Sequence, residues 1–129
     1  MPQLAYRVLV KDARLKPVVW MGDSLAVVRE FPKEVREEIG YAVYQAQTGG
    51  KHESAKPLKG FGPGVLEVVS DHRGGTFRAV YTVRLAGKVY VLHAFQKKSK
   101  RGIATPKSEL DLVKQRLKRA IELHASQEG

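Results

Sequence analysis

The sequence predicts an α+β fold: a small, mainly antiparallel sheet packed by an N-terminal helix pair, with a further helix at the C-terminus. Apolar residues recur at three- and four-residue spacing in the first half and again after residue 105, as in amphipathic helices. Between them, apolar segments separated by glycine-rich turns are typical of a three-stranded meander. A length of 129 residues with 43% hydrophobic residues fits one domain over residues 1–129, with a core of about 17–122.

The N-terminal half begins with a short apolar strand over 17–21, which is expected to join the sheet. A short helix over 25–31 follows and ends at Pro32, because proline cannot continue it. The spacing of apolar residues predicts a second helix over 33–48, which two glycines terminate. The polar segment 51–64 is rich in turn formers and is predicted to be a loop.

The C-terminal half contains the meander and the last helix. The middle strand alternates, so Arg78 lies on the face opposite its large apolar neighbours. We expect the helix pair to cover the apolar face and the face bearing Arg78 to be open to a ligand. Thr105 is placed to cap the last helix and Pro106 to begin it. The three strands are expected over 65–70, 76–85 and 89–95.

Charge is unevenly distributed. The net charge is +10, but residues 1–72 carry ten Lys/Arg against nine Asp/Glu, whereas residues 73–129 carry thirteen against four. An excess confined to one half favours a basic face for a polyanion such as nucleic acid. Four of the five residues 97–101 are cationic and follow the last strand. This run is a candidate phosphate-binding edge, and a solvated charged loop is the alternative.

Several other classes of protein are excluded or disfavoured. Without cysteine there is no disulfide, thiolate metal site or cysteine nucleophile. The four histidines lack metal-ligand spacing, so we expect no metal and no other cofactor. The sequence contains no apolar stretch of roughly 18 residues, so no membrane span is expected. The N-terminus lacks the apolar core of a signal peptide, and a cytoplasmic protein is expected.

Polar residues on the predicted strands are the first candidates for chemistry. Arg78 could bind a phosphate bidentately or be a solvated arginine of an open face. Glu67 could act as a general base or form a salt bridge with Arg78. By its period of two, His93 shares a face with Phe95 and Lys97. His93 could accept a proton and Phe95 could stack on a base, although both could be core residues.

Lysines supply the remaining candidates. Lys59 follows a turn and could reach a phosphate, the alternative being an ordinary surface lysine. Lys97 and Lys98 are expected to be the catalytic or phosphate-binding members of the basic run. Lys100 and Arg101 are expected to steer a polyanion toward them.

Five short strings, in this order, resemble the phage-derived HigB-like branch of the RelE/ParE toxin superfamily. The strings are KPLKGF at 56–61, LE at 66–67, FRAVY at 77–81, VLHAFQKK at 91–98 and TPKSE at 105–109. Two further strings, WMGDS at 20–24 and REFP at 29–32, fit the same branch. The resemblance covers roughly residues 17–120 and implies a RelE-like fold.

The resemblance also implies a function: a type II toxin that is a ribosome-dependent, metal-independent mRNA endoribonuclease. A cognate antitoxin, often a helix-turn-helix protein, would neutralise it. In that chemistry a ribose 2′-oxygen attacks the adjacent phosphorus to give a 2′,3′-cyclic phosphate. A gyrase inhibitor of the ParE type and an inactive partner-binding relative are the alternatives.

The resemblance assigns some residues and leaves others open. The superfamily arginine falls on Arg78, and the basic position after the last strand falls on Lys97 or Lys98. Some relatives have a tyrosine near that position that serves as the general acid, but here no tyrosine follows Tyr90. The acid and the base therefore stay open, with His93 and then Glu67 as candidates for the base.

Overall fold

The fold is a five-stranded sheet with strand order β1-β5-β4-β3-β2 and helices on both faces. The computed structural model describes residues 15–97 and 105–128. Strand β1 runs parallel to β5, and the other neighbouring strands are antiparallel. This architecture confirms the predicted α+β class. The elements are β1 (Val18–Trp20), α1 (Ser24–Arg29), α2 (Lys33–Gln47), β2 (Ala55–Pro57), β3 (Val65–His72), β4 (Gly75–Thr82), β5 (Val89–Lys97) and α3 (Lys107–Glu128).

The segment predicted to be one loop, 51–64, contains the edge strand β2. Its three residues pair antiparallel with β3, and three residues are too few to show an alternating pattern. Pro57 lacks an N–H group, which an edge strand tolerates because one side of it needs no partner. The sequence therefore predicted four of the five strands.

Helices α1 and α2 cover one face of the sheet, as predicted. Val35 and Ile39 of α2 are fully buried and pack with Val68 and Ala79 of the meander. Gly49 ends α2 with a φ of +91°, a conformation that glycine adopts at little cost. In the described part of the chain, no helix is long and apolar enough to cross a membrane.

Helix α3 packs on the opposite face, which the sequence predicted to be open. Val113 and Leu117 of α3 pack against Val80 and Leu92 of the sheet. The prediction was wrong because the apolar stripe of α3 needs a surface to bury against, and this face supplies one. Arg78, which was expected on an open face, is consequently only 7% exposed, and His93, Phe95 and Lys97 of β5 are 5–8% exposed.

A β-bulge in β5 decides which of its side chains face α3. Val80 pairs with His93, but the next residue, Tyr81, pairs with Val91, so Leu92 is an extra residue. Val91 therefore packs in the core under α1 and α2, whereas His93 lies on the same face as Val80, under α3. In a regular strand, alternation with a period of two would place these two β5 residues on one face, and the bulge separates them.

Beyond the bulge, alternation resumes. Phe95 pairs with Arg78, and Lys97 pairs with Thr76. Because directly paired residues of antiparallel strands share a face, Phe95 and Lys97 lie with His93 on the α3 side. The predicted common face of these three β5 residues is confirmed.

Arg116 of α3 stabilises the bulge by hydrogen bonding. Its Nη1 donates to the carbonyl oxygen of Leu92 at 3.1 Å, and its Nη2 donates to the Asp23 carboxylate at 2.9 Å. A carbonyl taken out of regular strand pairing needs another donor. The approach depends on Gly22, which has a φ of +54° and at which a Cβ would lie 2.6 Å from the guanidinium carbon. Arg116 thus joins β5, the turn before α1 and α3.

Replacing Arg116 with glutamine should lower the free energy of unfolding by about 2 kcal/mol, because the charged donor to the bulge and to Asp23 is lost. Arg119→Gln is the matched control, since Arg119 is exposed and lies 3.8 Å from the exposed Glu122. Its effect should stay below about 0.5 kcal/mol. Urea unfolding measures the free energy of unfolding of both variants. Equal losses would contradict the role assigned to Arg116.

The phenol of Tyr81 gives a prediction of pH dependence. Burial raises the pKa of Tyr81 from 10.0 to about 12. The folded state therefore holds this proton at a pH where the unfolded state has released it. The resulting stabilisation is complete below pH 10 and is lost as the pH rises from 10 to about 12.

Tyr81→Phe should remove this loss of stability at alkaline pH. The hydroxyl is buried and has no hydrogen-bond partner among the described residues, so its removal should also raise the free energy of unfolding at pH 7 by about 1 kcal/mol. Urea unfolding at pH 8 and pH 11 compares the variant with the natural sequence. The same alkaline loss in both proteins would show that Tyr81 is not its source.

Candidate functional site

A pocket of about 360 Å³ opens where β2, β3 and β4 meet the start of α3. Three predicted site residues line it: Lys59, Glu67 and Arg78. Two residues that were not predicted as site residues join them, Lys56 and Thr105. Lys56 was missed because β2 was missed: it lies on β2 directly opposite Glu67. Among the described residues, the pocket thus combines three cations with one carboxylate.

Arg78 is held in the wall of this pocket by a buried ion pair. Its Nη1 donates to Oε2 of Glu67 at 3.0 Å, and the two side chains are only 8% and 13% exposed. The Thr105 hydroxyl donates to the same oxygen at 2.9 Å. Of the two roles that the sequence suggested for Glu67, the structure shows the salt bridge with Arg78. Because both side chains are buried, this carboxylate sets the orientation of the guanidinium.

Thr105 is therefore used differently from its predicted role. Helix α3 begins at Lys107, and the carbonyl of Pro106 accepts the backbone N–H groups of Glu109 and Leu110. The hydroxyl of Thr105 bonds to Glu67 on β3. It ties the start of α3 to the wall of the pocket instead of capping the helix.

His93 lies on the same face of the sheet, where it pairs with Val80, two register positions from the pair of Arg78 and Phe95. Its Nε2 lies 2.6 Å from Oε1 of Glu109, and its Nδ1 lies 3.0 Å from Nη1 of Arg116. An arginine nitrogen can only donate, so Nδ1 is the acceptor. The ring proton is then on Nε2, which donates to Glu109.

The observed contacts of His93 and Phe95 limit the roles predicted for these two residues. Both ring nitrogens of His93 are engaged, so the imidazole cannot take a further proton without giving up a bond. The ring of Phe95 stacks on that of His93, with centroids 5.4 Å apart, and Phe95 is 6% exposed. Little of its surface is available for stacking on a base.

Sequence reasoning did not single out Glu109 or Arg116 as site residues. A signal was present, because Glu109, Val113 and Arg116 recur at the four- and three-residue spacing of one helix face. Val113 is fully buried, so polar residues in register with it must face the sheet. Charged residues on the buried face of an amphipathic helix were the overlooked pattern.

The basic run is only partly described. Lys97 is 8% exposed, lies on the α3 face and does not line the pocket. The other members of the run that were predicted as site residues, Lys98, Lys100 and Arg101, lie outside the described residues. Within residues 15–97 and 105–128, no group of three His, Cys, Asp or Glu side chains is arranged to hold a metal ion.

Comparison with known proteins identifies the family. The model of the family described as phage-derived protein Gp49-like (DUF891) matches residues 26–118, which extend from α1 into the middle of α3. The comparison with curated proteins gave no match. The superfamily that the short strings resemble is confirmed, since Gp49-like proteins belong to it. The chain is therefore a member of the phage-derived Gp49-like family, within the RelE/ParE-type toxin superfamily.

Proposed function

We propose that the protein is a type II toxin of the HigB-like branch, a metal-independent endoribonuclease that cleaves mRNA on the ribosome. The observation that carries the proposal is the pocket, where a buried and oriented Arg78 lies in the wall beside two exposed lysines. Such a set of cations suits an RNA phosphate. Membership of the toxin superfamily supports a cognate antitoxin as partner, and we propose one of the helix-turn-helix type.

In the proposed reaction the 2′-hydroxyl gives its proton to a base, and its oxygen forms a bond to the adjacent phosphorus. The bond from phosphorus to the 5′-oxygen breaks, and that oxygen takes a proton as it leaves. The products are a 2′,3′-cyclic phosphate and a 5′-hydroxyl. Negative charge grows on the phosphoryl oxygens, where Arg78, Lys56 and Lys59 would stabilise it. Because Arg78 is already oriented, little reorganisation is needed.

The basic end of β5 has a place in the same proposal. Lys97 and Lys98 would bind the phosphate or protonate the leaving 5′-oxygen, and Lys100 and Arg101 would steer RNA toward the pocket. The double variant Lys97→Ala with Lys98→Ala tests this role of the two lysines. We expect its induction to arrest growth less than induction of the natural protein does. Arrest at the natural level would exclude these two lysines from the site.

Lys56→Ala combined with Lys59→Ala should lower cleavage of ribosome-bound mRNA by roughly 10- to 100-fold, since two cations near the phosphate are removed. Both side chains are exposed, so the melting temperature should stay unchanged. Lys114→Ala with Lys118→Ala removes the same charge from exposed positions of α3 and is the matched control. Equal losses in the two double variants would refute a specific pocket.

The role of Arg78 is tested with a conservative substitution. Arg78→Ala would leave the Glu67 carboxylate buried without its partner, at a cost of roughly 3–5 kcal/mol, so lost activity could reflect lost folding. Arg78→Lys keeps the charge but cannot bind a phosphate bidentately. We expect this variant to fold, shown by its thermal melt, and to relieve growth arrest. Full toxicity would remove Arg78 from the mechanism.

Primer extension on cellular transcripts after induction tests the activity itself. The nuclease predicts discrete cuts at positions set by the ribosome. Growth arrest with intact transcripts and inhibited DNA supercoiling would point instead to a gyrase inhibitor. Absence of any arrest would point to an inactive, partner-binding relative.

A further inference from the structure

A continuous chain of polar side chains crosses the face of the sheet that α3 covers. The Asp23 carboxylate accepts from Nη2 of Arg116 at 2.9 Å. Nη1 of the same arginine donates to Nδ1 of His93 at 3.0 Å. The Nε2–H of His93 donates in turn to Oε1 of Glu109 at 2.6 Å. The side chain of His93 is 6% exposed, while that of Glu109 is 27% exposed, so the chain ends in a carboxylate that solvent can reach.

The direction of these bonds decides which member can take a proton. Arg116 has no acceptor, and both nitrogens of His93 are engaged. A carboxylate, however, accepts on two oxygens. Oε1 of Glu109 receives the histidine proton, and Oε2 forms no hydrogen bond within residues 15–97 and 105–128. Two of the four groups, Asp23 and Glu109, therefore combine access with a spare acceptor atom. Only Glu109 is adjacent in sequence to a residue that lines the pocket, Leu110.

Glu109 also lies on the turn of α3 that reaches the pocket. The next residue, Leu110, lines the pocket together with Arg78 and Thr105. Four residues before Glu109, the Thr105 hydroxyl bonds to Glu67, the partner of Arg78. The first turn of α3 thus contributes Leu110 to the wall of the pocket and the Glu109 carboxylate to the polar chain.

We propose that Glu109 is the general base of this site and that His93 and Arg116 are its positioning residues. This inference rests on the proposed ribonuclease function. Oε2 of Glu109 takes the proton of the 2′-hydroxyl as the oxygen–phosphorus bond forms. The bond to the 5′-oxygen breaks, and this oxygen takes a proton from a lysine ammonium of the proposed site or directly from solvent. Glu109 then returns its proton to water, which completes the cycle.

Other carboxylates near the pocket are less suited to this role. Oε2 of Glu67 already accepts from Arg78 and Thr105, and the Glu67 side chain is only 13% exposed. Asp111 follows Glu109 by two residues but pairs with the exposed Lys107 on the solvent side of α3. Asp111 is thus a nearby carboxylate outside the polar chain, and it provides a matched control.

The test is cleavage of a defined transcript on purified ribosomes by the natural protein, Glu109→Gln and Asp111→Asn. Glutamine keeps an acceptor for His93 but removes the basic carboxylate. We expect Glu109→Gln to lower kcat by at least about 100-fold with KM within threefold of the natural value, and Asp111→Asn to keep the natural rate. An unchanged kcat in Glu109→Gln, with the natural protein active, overturns this inference alone. No cleavage by the natural protein overturns the proposed function and this inference with it.

A second measurement does not depend on activity. Nitrogen-15 NMR of the histidine side chains of the natural protein at pH 7 reports which ring nitrogen carries the proton. We expect His93 as the neutral Nε2–H tautomer, and a mixture of tautomers in Arg116→Gln. An Nδ1–H tautomer or an imidazolium in the natural protein would overturn the positioning of Glu109.

Discussion

The bulge in β5 is the constraint on which both cores and the candidate site depend. The bulge adds Leu92 between Val91 and His93. Before it, the odd-numbered residues of β5 pack under α1 and α2. After it, the odd-numbered residues face α3. A bulge leaves backbone groups outside the regular pairing, and Arg116 supplies the missing donor. Packing, backbone hydrogen bonding and the placement of His93 are therefore one connected arrangement.

Covering the sheet on both faces changes the kind of site the protein can form. Arg78 and His93 are not solvated residues on an open surface; each is buried with a carboxylate from another element, Glu67 for Arg78 and Glu109 for His93. In each case the hydrogen bond to the carboxylate fixes the orientation of the buried side chain. What remains open is the edge of the covered face, where β2 brings Lys56 to the pocket.

Much of the fold was predictable because local patterns express it. The periodic helix α2, the meander and the C-terminal helix follow from spacing and turn residues, and they are present. Strand β2 was not predictable, since three residues carry no periodicity and its pairing with β3 is a tertiary choice. Of the candidate site, Lys59, Glu67 and Arg78 meet in one pocket. Glu109 and Arg116, which contact His93, were overlooked because their place on the buried face of α3 was not taken into account.

The sequence by itself determined the α+β class, the concentration of charge in the C-terminal half and the short strings that resemble the toxin superfamily, since each is a local or compositional property. Only the tertiary structure decided which face of β5 carries His93, what covers that face and which atoms its ring nitrogens meet. The physical reason is that a one-residue bulge inverts the alternation of a strand. The contacts that favour it, from Arg116 and the turn at Gly22, come from segments far away in the chain.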